Sequence, residues 1–156
     1  RVVDAVAAIH KYGAPCIVVD FGTATTFNAI NERREYLGGV ITPGIMVSSD
    51  ALFERTAKLP RVDIKRPEKV IGSSTMHAMQ SGLYHGYVGL VDGVLQKMVD
   101  ELDGKPRIVA TGGLASLIAT GSQFIDVVDD TLTLEGLRLV YERVTRPSAK
   151  GEEQRA

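Results

Sequence analysis

The residues from Asp20 to Thr26 (Asp-Phe-Gly-Thr-Ala-Thr-Thr) are of the types that can hold a phosphate tail. Gly22 has no side chain and can take positive φ, so a ligand can come close to the main chain. Thr23, Thr25 and Thr26 offer hydroxyl donors, and successive N–H groups of a turn can form a concavity for an anion. Asp20 can hold a cation that offsets phosphate charge. A plain Gly-Thr hairpin fits the same seven residues, so this segment alone leaves both readings open.

A second group, Thr111-Gly112-Gly113, follows the apolar stretch Ile108-Val109-Ala110. Open α/β sheets take ligands at such strand ends. The paired glycines would let a base or sugar lie against main chain, and the N–H groups of a following helix would be available. A tight βα turn needs the same glycines. Two such loops in like contexts favour a nucleotide over either bland reading taken singly.

Other reactive residue types carry less. His77 and His85 stand eight apart, which is not the i,i+4 spacing of a metal-binding helix, and with His10 they form no ligand cluster. Asp129-Asp130 precedes Thr131 at an expected helix start, where capping explains them better than a catalytic carboxylate pair. Cys16 is the single cysteine and lies in an apolar run, as a buried inert thiol would. Arg33-Arg34, Arg61, Lys65, Arg66 and Lys69 read as solvated loop charges.

The elements that must position the two loops follow from the patterning. Residues 1–12 read as a helix closed by Gly13, although no capping residue opens it. Residues 16–20, 25–31 and 35–41 read as a three-strand meander, with Gly38-Gly39 marking a bulge or a close backbone approach. A helix is expected over 45–58, with Ile45, Leu52 and Phe53 on one side. Residues 59–72 form a basic, proline-interrupted connection. Ser73-Ser74-Thr75 caps a long helix to about Leu102. Its Gly82, Gly86, Gly89 and Gly93 lie along one stripe and imply close helix packing, within the subunit or across a subunit interface. Strands at 107–111 and 124–128 alternate with helices at 114–119 and 132–144. The fold class is therefore α/β with a mixed sheet, a three-strand meander first and βα units after it. The expected domain spans 1–144, and 145–156 is expected as a flexible tail.

A length of 156 residues suits one domain, and 44% hydrophobic with 24% charged residues is ordinary for a globular chain. A net charge of −1 gives no electrostatic case for nucleic acid or an anionic membrane. No apolar run is long enough to span a bilayer and no signal peptide is evident, so the cytoplasm is expected. The chain begins at Arg1 inside a helical pattern, as if cut from a longer protein.

Taken in order, several further motifs join the two loops. They are Tyr36-Leu37-Gly38-Gly39, Pro43-Gly44, Ala51-Leu52-Phe53-Glu54-Arg55, Lys58-Leu59-Pro60, Ile71-Gly72, Met79-Gln80-Ser81-Gly82, Gly86-Tyr87-Val88-Gly89 and Leu132 through Leu137. With these the sequence resembles the C-terminal part of type III pantothenate kinases, members of the acetate kinase/sugar kinase/Hsp70/actin-like (ribonuclease H-like) superfamily. The resemblance covers residues 1 to about 144.

It implies phosphorylation of pantothenate by ATP to 4′-phosphopantothenate, the first step of coenzyme A synthesis, with Mg²⁺ accompanying ATP. Asp20 falls where the family binds a monovalent cation, potassium or ammonium. Gly22 and Thr23 fall in its second phosphate motif, and Gly112 and Gly113 in its adenosine motif. Arg1 and Thr75 match pantothenate-binding positions, Thr75 serving the neighbouring subunit of a homodimer. The family's catalytic base is the aspartate before that arginine. Arg1 is the first residue here, so the chain is expected to carry no catalytic residue, to lack the first phosphate loop and to be inactive alone. A non-catalytic nucleotide- or pantothenate-binding regulatory module is the alternative, and a small-molecule kinase with another acceptor is the third.

Overall fold

The apolar run from Cys16 to Val19 forms the centre of the molecule because every one of its side chains is buried. In the computed structural model, which describes residues 1–56 and 58–145, it is strand β1 (Cys16–Phe21). β1 pairs antiparallel with β2 (Ala24–Ile30), and β2 pairs antiparallel with β3 (Tyr36–Pro43). On its other edge β1 runs parallel to β4 (Arg107–Thr111), which pairs with the two-residue β5 (Val127–Val128). The order β3-β2-β1-β4-β5 is the expected mixed sheet, meander first and βα units second.

Strand alternation sends successive side chains to opposite faces, and each face gathers its own core. Ile17, Val19, Phe21, Phe27 and Ala29 pack with Tyr84, Tyr87, Val91 and Leu95 of α3 (Thr75–Glu101) and with Ile118 of α4 (Ala115–Ala119). Cys16, Val18, Ile30 and Val109 pack with Ala5, Ala7 and Ala8 of α1 (Val2–Tyr12) and with Leu132 of α5 (Leu132–Thr145). Burial pushes the Cys16 thiol up to about 11, in keeping with an inert core residue.

Three local expectations are met in detail. Gly13 closes α1 with φ 84°, and its N–H donates to the Ile9 carbonyl at 3.1 Å. Ser74 caps α3, accepting from the His77 N–H at 3.2 Å. The β2–β3 pairing shifts register between Ala29 and Ile30, and a side chain at Gly39 would run into the Phe27 carbonyl. Gly39 is therefore the close approach that the glycine pair announced.

Other elements differ from the pattern. α2 (Ile45–Arg55) is shorter than expected, and of its three apolar markers only Ile45 is buried. Phe53 is exposed, with the Arg61 guanidinium 4.3 Å from its ring centre. The expected strand 124–128 shrinks to β5 because the Ser122 hydroxyl accepts from the N–H groups of Phe124 and Ile125, at 3.2 and 3.3 Å, which diverts them from a ladder. α5 extends through Thr145, and residues 146–156 of the expected tail lie outside the described residues.

The glycines of α3 do not pack against other described residues. A Cβ built at Gly82, Gly86, Gly89 or Gly93 would meet nothing within 4 Å among the described residues. The close helix crossing is elsewhere: at Gly136 of α5 a Cβ would strike the Val3 carbonyl of α1 and come within 2.7 Å of Val3 Cγ1.

Candidate functional site

β1 and β4 are parallel neighbours, with Asp20 opposite Thr111. Their C-terminal ends therefore deliver Asp20-Phe21-Gly22-Thr23 and Gly112-Gly113 to the same edge of the sheet, the position where open α/β sheets receive ligands. The two loops touch. At Gly112 a Cβ would lie 2.6 Å from the Phe21 carbonyl oxygen and 2.8 Å from Asp20 Oδ1, and the backbone there has φ +96°. That combination of positive φ and contact requires glycine. Gly22 is not in the left-handed region, so its use is the open approach and not the conformation.

The first loop is held from behind by the start of α2. The Gly44 N–H donates to the Thr23 carbonyl at 3.0 Å, and a side chain at Gly44 would come within 2.5 Å of the Gly22 carbonyl oxygen. Among the described residues no turn or loop bond takes up the N–H of Gly22, Thr23, Gly112 or Gly113. Gly22, Thr23 and Gly113 are exposed. An anion at this edge would meet free main-chain donors and the Thr23 hydroxyl.

The three threonines separate by alternation. Thr25 is buried on the α3 face, where its hydroxyl bonds Tyr87, whose own hydroxyl also donates to the Pro43 carbonyl at 3.2 Å. It is a strut for the loop and not a phosphate donor. Thr26 faces the α1 side, as does Asp20, which it opposes across the hairpin. Thr23 alone stands free at the turn.

Asp20 is half-buried, and desolvation raises its pKa, with the charge of Asp4 adding to the shift. No lysine, arginine or histidine pairs with it among the described residues. A carboxylate partly withdrawn from water, with the Arg1 amino group offsetting only part of the shift, fits a bound cation. The carbonyl oxygen of Phe21, beside Gly112, is a second oxygen at this place.

Arg1 lies on the same α1 side. Its Nε donates to Asn28 Oδ1 at 2.9 Å and its Nη2 to the Tyr36 hydroxyl at 2.7 Å. The Tyr36 hydroxyl in turn donates to Asn28 Oδ1 at 3.0 Å. Asn28 and Tyr36 were missed by sequence reasoning. Asn28 sits in the apolar end of β2, between Phe27 and Ala29, and only the hairpin register brings it to Arg1. Thr75 opens α3 and is exposed, with no side-chain bond to Arg1, Asp20 or either loop among the described residues. α4 has five residues, so the helix after Gly113 adds little dipole to the site.

Among the described residues no helix is long and apolar enough to cross a membrane. Compared with known proteins, residues 1–97 match the family described as type III pantothenate kinase. A type III pantothenate kinase from Koribacter versatilis (strain Ellin345) is 60% identical over 152 residues, covering 97% of this chain and 56% of its own length. The chain thus spans about half the length of that curated relative. Among solved structures, a Campylobacter jejuni protein assigned to the Baf family of transcriptional activators has a similar fold, with a TM-score of 0.63 at 22% identity over 91% of this chain and 64% of the other. A more distant likeness, at a TM-score of 0.46 and 11% identity, is to the activator of 2-hydroxyisocaproyl-CoA dehydratase from Clostridium difficile, covering 94% of this chain and 70% of that one. The chain belongs to the type III pantothenate kinase family.

Proposed function

We propose that this chain supplies the nucleotide half, and one wall of the acceptor half, of an enzyme that transfers the γ-phosphoryl group of ATP to the primary hydroxyl of pantothenate. The observation that carries the proposal is the meeting of the Asp20–Thr23 and Gly112-Gly113 loops at one sheet edge, with free main-chain donors and an unpaired carboxylate. In this reading Gly22 and Thr23 bind ATP phosphates, and Gly112 and Gly113 admit the adenosine against main chain. Asp20 holds a monovalent cation, K⁺ or NH₄⁺, and Mg²⁺ enters with ATP. Arg1 binds pantothenate, and Thr75 reaches the pantothenate site of a second copy in a homodimer.

Phosphoryl transfer needs alignment and charge neutralisation more than covalent help. The cations, when bound, would offset the negative charge on the phosphates. The chain's own part is positional. The Gly44–Thr23 bond and the Thr25–Tyr87 strut fix the first loop, and Gly112 keeps the second loop against Asp20. The chain spans 56% of the length of its curated relative, and in this reading catalysis belongs to the product of the complete coding sequence, with residues 1–156 inactive alone.

The test is a phosphorylation assay with pantothenate and ATP, with and without ammonium, on residues 1–156 and on the product of the complete coding sequence. Phosphopantothenate from the complete product, and none from the chain alone, is the expected result. ATP binding without product from either would overturn the kinase reading and leave a nucleotide-binding regulator.

A further inference from the structure

A row of polar groups crosses the α1 face of the sheet. Asp20 of β1 opposes Thr26 of β2. Thr26 Oγ1 accepts from Asn28 Nδ2 at 3.2 Å, and Asn28 Oδ1 accepts from both Arg1 and Tyr36. Asn28 is fully buried, so its amide is worth keeping in a core strand only if its donors and acceptor are used. Its oxygen accepts twice and its Nδ2 donates once, and one of those partners is the guanidinium.

The ring Arg1 Nε, Asn28 Oδ1, Tyr36 Oη and Arg1 Nη2 is closed by three bonds of 2.9, 3.0 and 2.7 Å. It occupies one edge of a planar fork. A guanidinium has five N–H groups, of which this uses two. Of the three remaining, two lie on the Nη1–Nη2 edge, whose spacing matches the two oxygens of a carboxylate. A free arginine side chain would lose rotamer entropy on taking a ligand, and one already clamped loses less.

We infer that Asn28 and Tyr36 are positioning residues for the acceptor site: they clamp Arg1 by its Nε–Nη2 edge and aim the opposite edge at the carboxylate end of the substrate. The inference deepens the reading of Arg1 as a pantothenate contact and rests on it. Neither residue touches the acceptor; both act through Arg1.

The experiment uses the product of the complete coding sequence and measures KM for pantothenate, KM for ATP and kcat. Tyr36→Phe removes one exposed hydroxyl and is expected to raise the pantothenate KM roughly tenfold, the scale of one hydrogen bond to a charged group. ATP KM and the thermal midpoint stay unchanged. Asn28→Asp keeps the acceptor oxygen and holds the pantothenate KM, whereas Asn28→Leu raises it. In an Arg1→Ala background Tyr36→Phe has no further effect, which a merely structural tyrosine would not reproduce. An unchanged pantothenate KM in Tyr36→Phe, an equal rise in ATP KM, or a persisting effect without Arg1 each overturns the inference while leaving the kinase reading intact. Failure of the unaltered protein to phosphorylate pantothenate overturns both.

Discussion

Asp20 carries its charge where no lysine, arginine or histidine pairs with it among the described residues, and that has a consequence for stability as well as for binding. Its pKa is raised, mainly by desolvation. A carboxyl with a raised folded pKa is deprotonated first in the unfolded chain, so stability falls as pH rises through the ordinary carboxylate range. Without a bound cation, Asp20→Asn should therefore unfold at a higher temperature than the parent at pH 7, with the gain fading below about pH 4. Added K⁺ or NH₄⁺ should raise the melting temperature of the parent and leave that of Asp20→Asn unmoved. A melting series in KCl and NH₄Cl against an equal ionic strength of a larger organic cation checks this. Equal responses of the two proteins would remove Asp20 from the cation site. Asp20, Gly22, Thr23 and the glycine pair were legible in the sequence because a loop's chemistry is written in adjacent residues. Asn28 and Tyr36 were not, since their use depends on a register between strands and on where α1 begins. Thr25 was misjudged for a related reason: period-2 alternation turns it to the α3 face, away from its neighbours in the motif.

At the scale of elements, the meander and the βα units could be read from apolar runs where the strands are buried, as β1, β2 and β4 are, and from turn residues around the exposed β3, while the last strand was read too long. α2 could not. Its side toward the sheet is narrow, so Leu52 and Phe53 are apolar without being buried. The docking of α1 on α5 was hidden too, since it depends on Gly136 and on a pair remote in sequence. Lys11 and Tyr12 of α1 both donate to Asp129 Oδ2, the tyrosine at 2.8 Å, while Thr131 donates to Oδ1 from its N–H and its hydroxyl at 3.1 and 2.9 Å. Asp129 thus serves the helix start, as the sequence suggested, and also ties that start to α1. Burial alone would push its carboxyl up, but the bonds from Lys11, Tyr12 and Thr131 outweigh this and hold it at about 2. A depressed folded pKa stabilises above the unfolded value and is lost as pH falls, here between about 4 and 2. The contribution at neutral pH is roughly 2 kcal/mol for a shift of this size. Lys11→Met should lower the melting temperature at pH 7, with the difference from the parent closing toward pH 2. Thermal unfolding followed by circular dichroism at pH 7, 4 and 2.5 measures it, and a pH-independent difference would mean that Lys11 acts by packing alone.

For the whole molecule the informative surface is the outer side of α3, a helix of 27 residues. Four glycines in its interior should each cost about 1 kcal/mol of helix propensity relative to alanine. A single chain gains nothing for that cost, because a side chain at any of them would meet open space among the described residues. Thr75 stands exposed at the start of the same helix, and in the proposed function it belongs to a second copy's acceptor site. Taken with the proposed function, the two facts predict that a second copy's backbone lies along α3 and brings its acceptor site within reach of Thr75. Gly86→Leu separates fold from assembly. It should leave the monomer folded and somewhat more stable, since it restores propensity without a clash. It should also block the close approach, converting a dimer to a monomer in sedimentation equilibrium. Phosphorylation of pantothenate should then fall together with dimer content, while ATP binding to the Asp20–Thr23 and Gly112-Gly113 loops persists. Subunit mixing adds a sharper check. A Thr75→Ala copy and an Arg1→Ala copy, each strongly impaired but measurable alone, should recover up to about a quarter of the parental sites when randomly paired, because only one kind of mixed site joins an intact Arg1 to an intact Thr75. No recovery on mixing, with mixed dimers present, would place Thr75 in its own subunit's site or in none.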